Sequence, residues 1–168
     1  MILLNEKNIK MKAILIMLSV VLSTNISAQE VQLIKLNDIN KRVGIGKDTV
    51  YIINFWATWC LPCLEELPYF EKLSGQYKNN KLKVMLVSMD FRSKLESTVV
   101  PFVRRKTLKN EVFLFDETNQ QEYIDRIDPS WSGALPATLI IHKDKRRFFE
   151  KEFTYQELLT EYKNIQMP

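Results

Sequence analysis

The stretch NFWATWCLPC, residues 54–63, contains both cysteines of this 168-residue chain, Cys60 and Cys63. Such a pair can bind a metal, attach haem, form a structural cross-link or act as a redox couple. Zinc needs four ligands, but the chain has no second pair of cysteines and only one histidine. Haem attachment requires a histidine after the second cysteine, where this chain has Leu64. A disulfide that closes so short a loop adds little stability. The interpretation that remains is a redox couple, and we expect neither a metal nor another cofactor.

Alternating strands and helices surround the pair. The β-rich run TVYIINFW (49–56) predicts a strand buried on both faces, and the apolar spacing of residues 64–77 predicts an amphipathic helix after it. Residues 31–43 predict an added edge strand or hairpin. The pattern predicts these further elements: strands at 81–89 and 111–115, a helix opened by Pro101, a short helix at 119–127, a hairpin of 137–142 with 146–153, and a last helix with a capping box of Thr154 and Glu157. We therefore expect an α/β fold with a central mixed sheet flanked by helices.

The position of the two thiols predicts their roles. Cys60 falls where the strand meets the helix, so free backbone N–H groups and the helix dipole favour its thiolate. Cys63 lies one turn further inside the helix, and Pro62 suits the first helical turn. We predict that Cys60 attacks a target disulfide and that Cys63 resolves the mixed disulfide.

The N-terminal residues indicate export. Three lysines, Lys7, Lys10 and Lys12, precede an apolar run at 13–22, and small and polar residues follow it. This order is typical of a signal peptide, predicted at 1–28, followed by one domain at 29–168. The run of ten residues is shorter than the roughly 20 that span a membrane. An uncleaved N-terminal anchor remains the alternative to a periplasmic or otherwise extracytoplasmic location.

The charge balance gives no support to nucleic-acid binding. The chain has 24 Lys and Arg against 20 Asp and Glu. The predicted signal peptide holds three of the former and one of the latter, which leaves a net charge of 21 − 19 = +2. The short basic clusters at 104–106 and 143–147 are not interleaved with aromatic residues. We expect a protein partner, no nucleic acid and a monomer.

Several motifs of the chain together carry a family resemblance. FWATWCLPC, Pro68 and the later ALPAT (134–138) together resemble thioredoxin-fold thiol-disulfide oxidoreductases, most closely the exported TlpA/ResA-like branch. The resemblance implies a thioredoxin-like fold with a helix-plus-strand insertion at 90–116. It implies a cis proline at Pro136 beside the cysteines, with the Leu135 backbone pairing with a bound substrate strand. Glu66 matches a carboxylate that this branch often keeps near the active site; an exposed helix glutamate is the alternative.

Two features depart from the family pattern. Asn54 stands where thioredoxins usually carry a buried aspartate, so Glu66 or water must accept the proton of Cys63. The loop IDPSWSGALP (127–136) is longer than usual. We predict that it forms a substrate-facing rim with Trp131 close to the Cys60 sulfur; Trp131 packing under the loop is the alternative. Trp59, next to Cys60, is also expected to shape the rim of the active site and to contact the substrate.

The residues between the cysteines bear on the direction of electron flow. Leu61 and Pro62 supply no cation to hold a thiolate, which favours a reductase over an oxidase. The resemblance implies a membrane-embedded thiol reductase as electron donor and exported clients, among them apocytochromes c. The other possibilities are a disulfide oxidase, a non-catalytic binding or chaperone module, and a peroxidase. Against the last, peroxiredoxins have Thr-x-x-Cys, whereas Thr58 stands two residues before Cys60.

Alkylation of the reduced protein tests the assignment of the two thiols. Cys60 is expected to react first, because its position at the helix start lowers the thiol pKa below the free value of ~8.5. Peptide mass mapping after brief treatment with iodoacetamide measures the two sites separately. Preferential labelling of Cys63 would contradict the assignment.

Overall fold

A computed structural model describes residues 30–46, 48–78 and 80–167. The signal peptide predicted at 1–28 lies outside the described residues. No helix within them has the length and apolar character needed to cross a bilayer. The strands are β1 Gln32–Ile34, β2 Val50–Trp56, β3 Leu82–Ser88, β4 Glu111–Phe115, β5 Ala137–His142 and β6 Lys145–Phe149. The helices are α1 Leu36–Ile45, α2 Leu61–Gln76, α3 Val100–Lys106, α4 Gln120–Ile127 and α5 Tyr155–Asn164.

The six strands form one sheet in the order β1-β4-β3-β2-β5-β6. The first four run parallel to one another, while β5 is antiparallel to β2 and β6 to β5. The predicted mixed sheet, closed by an antiparallel hairpin, is confirmed. The fold is thioredoxin-like.

Strand β2 lies at the centre of the sheet and separates two apolar cores. Val50, Ile52 and Trp56 face the core that contains α2 and α5. Ile53 and Phe55 face the other core, which contains α1 and α4. Successive strand residues point to opposite faces, so one short sequence supplies both layers.

The segment before β2 corrects one prediction. Only Gln32–Ile34 forms an edge strand; residues 36–45 form a helix instead of the second strand of a hairpin. Leu36 and Ile39 are buried three residues apart, as one face of a helix requires. The Asp38 carboxylate accepts a hydrogen bond from the Lys35 backbone N–H and so caps the helix start.

Strand β6 is shorter than predicted. It ends at Phe149, because the next residue, Glu150, turns away to accept hydrogen bonds from the backbone and hydroxyl of Ser132. Phe153 is buried in the core with α2 and α5 and is not part of the strand. The predicted capping box of Thr154 and Glu157 is confirmed at the start of α5.

The insertion at 90–116 contains more helical turns than predicted. A 3₁₀ turn at Arg92–Lys94 and a π-helical turn at Leu95–Val99 lead into α3 and then β4. The Phe102 ring of α3 lies 5.3 Å from the Trp56 ring at the end of β2. The insertion therefore supports the strand that leads into the cysteine pair.

Candidate active site

Cys60 and Cys63 lie at the junction of β2 and α2, as predicted, and are joined by a disulfide. Cys60 is the N-cap residue of α2, and its sulfur lies 3.4 Å from the backbone N–H of Cys63. Cys60 is 6% exposed and Cys63 fully buried. Pro62 occupies the first turn of α2, where its missing N–H costs nothing. After reduction, a Cys60 thiolate lies at the positive end of the helix.

The Leu135–Pro136 peptide bond is cis, as the resemblance implied. Antiparallel pairing of Phe55 with Ala137 brings Pro136 level with the end of β2. Pro136 is buried, and the half-buried Leu135 packs against both cores. The sheet therefore places this loop beside the segment that leads to Cys60.

Glu66 is fully buried, so the exposed alternative is wrong. One carboxylate oxygen accepts from the Asn54 side-chain amide at 2.7 Å, and the other from the Phe153 backbone N–H at 2.8 Å. Burial raises the pKa of Glu66 to about 7 from its ordinary 4.5, and the two hydrogen bonds oppose part of that rise. The carboxyl group can therefore exchange a proton near neutral pH.

The surroundings of Asn54 explain why this position of β2 carries a neutral residue. The Asn54 amide also donates to the Thr138 hydroxyl of β5 at 3.1 Å, so it joins the two strands and α2. A second carboxylate here would face Glu66 without a cation between them, which is strongly unfavourable in a buried site. The departure from the family pattern and the buried glutamate are thus two parts of one arrangement.

A second buried carboxylate, Asp90, was missed by the sequence reasoning. It follows β3, is 5% exposed and accepts from the Thr58 backbone N–H at 2.9 Å and the Thr58 hydroxyl at 2.6 Å. The Ser88 hydroxyl donates to it at 2.8 Å. A signal was present: β2 and β3 run parallel, so residues that follow them meet at one edge of the sheet. Asp90 fixes the loop two residues before Cys60.

The two tryptophans of the predicted rim lie in different environments. Trp59 is 69% exposed next to Cys60, and Leu61 on the other side is 67% exposed. Trp131, in contrast, is 5% exposed and packs in the core with α1 and α4, against Phe55 at 5.2 Å and Phe148 at 5.7 Å between ring centroids.

The prediction of a substrate-facing Trp131 is therefore wrong. Phe55 points away from the face of the sheet that carries α2. Trp131 packs against Phe55 and therefore lies across the sheet from Cys63. The indole N–H of Trp131 donates to the Ala134 carbonyl at 2.8 Å, which holds the loop over the ring. The extra length of the loop makes room for the buried Trp131 side chain.

Metal binding has no candidate site in the described part of the chain. No group of three or more His, Cys, Asp or Glu side chains there could hold a metal ion. His142 lies at the end of β5, and its Nδ1 lies 3.3 Å from the Ile165 carbonyl oxygen. It is far along the chain from the cysteine pair and packs beside α5.

The chain is similar in sequence to a known protein family and to several named proteins. The sequence profile of the AhpC/TSA family matches residues 19–146. Thiol-disulfide oxidoreductase ResA from Bacillus cereus is 33% identical over 93 residues, which are 55% of this chain and 48% of that protein. The protein of the same name from Halalkalibacterium halodurans is 32% identical over 91 residues, 54% of this chain and 47% of that protein. The chain thus matches about half the length of these relatives.

Solved structures show the same fold. A thioredoxin-related protein from Neisseria meningitidis serogroup B has a TM-score of 0.62 and 21% identity, and covers 71% of this chain and 86% of its own. StoA from Bacillus subtilis has a TM-score of 0.53 and 20% identity, and covers 67% of this chain and 81% of its own. The resemblance to ResA-like proteins and the thioredoxin-like fold are confirmed.

Replacing Glu66 with glutamine tests its raised pKa. The unfolded chain ionises Glu66 near pH 4.5 and the folded chain near pH 7, so this group makes the wild type less stable as pH rises through that window. The loss amounts to roughly 3 kcal/mol and is complete above pH 7. In Glu66→Gln this loss is expected to vanish, since Asn54 can turn its oxygen towards the new amide. Urea unfolding of the oxidised protein between pH 4 and 8 measures it.

The exposed neighbour Glu65 provides the matched control. Glu65→Gln is expected to retain the wild-type dependence on pH. Equal curves for the wild type and Glu66→Gln would show that the buried carboxyl group titrates normally.

A pair of tryptophan variants tests the corrected role of Trp131. Trp131→Ala is expected to lower the free energy of unfolding by about 3–5 kcal/mol, because it leaves a large cavity between Phe55 and Phe148. Trp59→Ala is expected to change it by less than about 0.5 kcal/mol, as an exposed side chain does. Thermal unfolding of both oxidised proteins measures the difference. A stable Trp131→Ala that loses activity on protein disulfides would restore the rim role.

Proposed function

We propose that this chain, which belongs to the AhpC/TSA family, is an exported thiol-disulfide oxidoreductase that reduces disulfides in extracytoplasmic client proteins. The observation that carries the proposal is the Cys60–Cys63 pair at the start of α2, beside the cis bond before Pro136. These are the parts that a dithiol/disulfide cycle needs: a sulfur at a helix N-terminus and an adjacent extended backbone for a client.

The proposed cycle starts from the dithiol. The Cys60 thiolate attacks one sulfur of the client disulfide, which breaks the client S–S bond and releases the other client sulfur as a thiolate. Cys63 then loses its proton and attacks Cys60, which releases the second client thiol. The client gains two electrons and two protons, and the protein is left as the Cys60–Cys63 disulfide. A membrane-embedded thiol reductase is the proposed source of the two electrons that restore the dithiol.

Glu66 is proposed as the acceptor of the Cys63 proton. It lies three residues after Cys63 on the buried side of α2, and its pKa of about 7 suits reversible proton transfer near neutral pH. Asn54 cannot take this proton, because an amide does not titrate. The hydrogen bonds from Asn54 and Phe153 hold the carboxylate in place between cycles.

Two observations support a reducing direction. The residues between the cysteines supply no cation. The loop just before Cys60 is bound to the Asp90 carboxylate through Thr58. A carboxylate close to the loop disfavours a second negative charge on Cys60. A less stable thiolate makes the dithiol form a better electron donor.

Export and domain limits are part of the same proposal. The sequence pattern of residues 1–28 supports a cleaved signal peptide, and residues 29–168 then form the mature domain as a monomer. The proposed clients are disulfide-containing exported proteins, with apocytochromes c among them. Mass measurement of the protein recovered from the extracytoplasmic fraction tests the cleavage after Ala28.

Reduction of insulin by dithiothreitol tests the function. The wild type is expected to accelerate it, and Cys60→Ser and Cys63→Ser to abolish the acceleration, because each step needs one of the two sulfurs. A wild type without effect would favour a binding module, and consumption of hydrogen peroxide at a comparable rate would favour a peroxidase.

The redox potential tests the direction of electron flow. Equilibration with glutathione buffers should give a potential below about −200 mV; a value near −120 mV would indicate an oxidase.

Trapping with Cys63→Ala identifies the clients. Without the resolving thiol, the mixed disulfide at Cys60 is expected to accumulate, and mass spectrometry of the captured proteins names the partner. Cys60→Ala, which lacks the attacking thiol, is the control and should capture few or no proteins.

A further inference from the structure

A cleft of about 450 Å³ lies beyond the C-terminal ends of β3 and β4. Residues 89–92, 115–118, 120 and 123 line it, and we call it the distal cleft. Asp90, in its lining, bonds to Thr58, two residues before Cys60. Two residues of chain place the near end of the cleft within about 10 Å of Cys60.

The cleft lies on the opposite side of β2 from the cis proline. Pro136 precedes β5 and the distal cleft follows β3, and these two strands flank β2 in the sheet. A client segment that pairs with Leu135 and reaches Cys60 can therefore continue across the end of β2 into the cleft. Neighbouring strands are about 4.8 Å apart, so this path needs only a few client residues.

Aromatic side chains form the apolar walls of the cleft. Phe91 is 79% exposed, an unusual environment for a large apolar residue. The rings of Phe115 and Tyr123 meet edge to face at 4.9 Å. Phe115 is buried and supports Tyr123 from below, so a side chain with a long aliphatic stem can lie along Phe91 and Tyr123.

The charged residues of the cleft make it acidic. Its lining holds three carboxylates, Asp90, Asp116 and Glu117, against one guanidinium, Arg92. Arg92 pairs with Asp116 at 2.8 Å. Among the residues that the structure describes, Glu117 accepts a hydrogen bond from the Leu36 backbone N–H at 3.1 Å, and the one cation of the lining, Arg92, pairs with Asp116 instead.

We propose that the distal cleft is a second subsite for the client and takes a lysine or arginine side chain three to five residues from the reacting client cysteine. The aliphatic stem of that side chain lies along Phe91 and Tyr123, and its cation approaches Glu117. The proposal rests on the proposed function and adds to it a preference for basic client segments.

Synthetic peptides with one disulfide test the preference. Three peptides carry lysine, leucine or glutamate four residues from the cysteine and are otherwise identical; bis(2-hydroxyethyl) disulfide is the small neutral reference. The wild type is expected to reduce the lysine peptide with a kcat/KM at least about threefold above the glutamate peptide, and added salt should weaken the difference.

Two variants separate the charge from the aromatic contact. Glu117→Gln keeps an oxygen for the Leu36 N–H and removes the charge, so the lysine-to-glutamate ratio should fall to about one. Phe91→Ala should lower kcat/KM for the lysine and leucine peptides by about threefold and leave the small disulfide unchanged. Asp144→Asn, in the exposed turn between β5 and β6 at the opposite end of the sheet, is the matched charge control and should behave as wild type.

The outcomes distinguish this proposal from the proposed function. The subsite alone is overturned if the wild type reduces the small disulfide, reduces the three peptides with equal kcat/KM, and both variants behave as wild type. Preference for the leucine peptide over the lysine peptide also overturns the basic specificity. A wild type that reduces none of the four disulfides overturns the proposed function and the subsite with it.

Discussion

The carboxylate of Glu66 is enclosed where α2, β2 and the segment before α5 meet. Its two oxygens accept from Asn54 on β2 and from the backbone of Phe153, which comes just before α5. A buried carboxyl group that loses a donor costs several kcal/mol, so neither of these bonds can be given up cheaply. The three elements are therefore held in one arrangement. Cys63, one turn earlier on α2, is held with them.

The aromatic residues around the cysteines fall into two groups: the buried ones stabilise the fold, and the exposed ones are available for contact with a partner. Trp56 and Phe102 lie in the core beneath α2, and Trp131 fills the core on the opposite face of the sheet. Trp59 and Phe91 stay in solvent, although both follow closely on buried strands. A rigid interior thus presents two aromatic side chains to solvent on the edge of the sheet that carries the cysteine pair.

Much of the fold could be predicted from the sequence, because β2, β3 and β4 are apolar runs of the length of a strand and the cysteine pair follows the first of them. The helix at 36–45 was missed because only Leu36 and Ile39 of its residues are buried, so its buried face is weakly marked. Trp131 was misplaced for a different reason. Position in the chain relative to Pro136 gives nearness to the active site, but it does not say which face of the sheet a side chain covers. Asp90 was missed because its role depends on parallel pairing between strands more than 30 residues apart in the chain.

Strand β1 has a consequence for the order in which the molecule assembles. Among the described strands it pairs with β4 alone, at Gln32 with Phe113 and its neighbours, and the Leu36 N–H bonds to Glu117, 81 residues further on. Closing so long a loop has a substantial entropic cost, which must be met before these contacts are gained. During synthesis the N-terminal strand emerges first, yet its partner follows only after most of the central sheet. Until then the outer edge of β4 has no neighbour, and an uncovered edge can pair with another chain. The first few residues of the folded domain thus protect the sheet against wrong association.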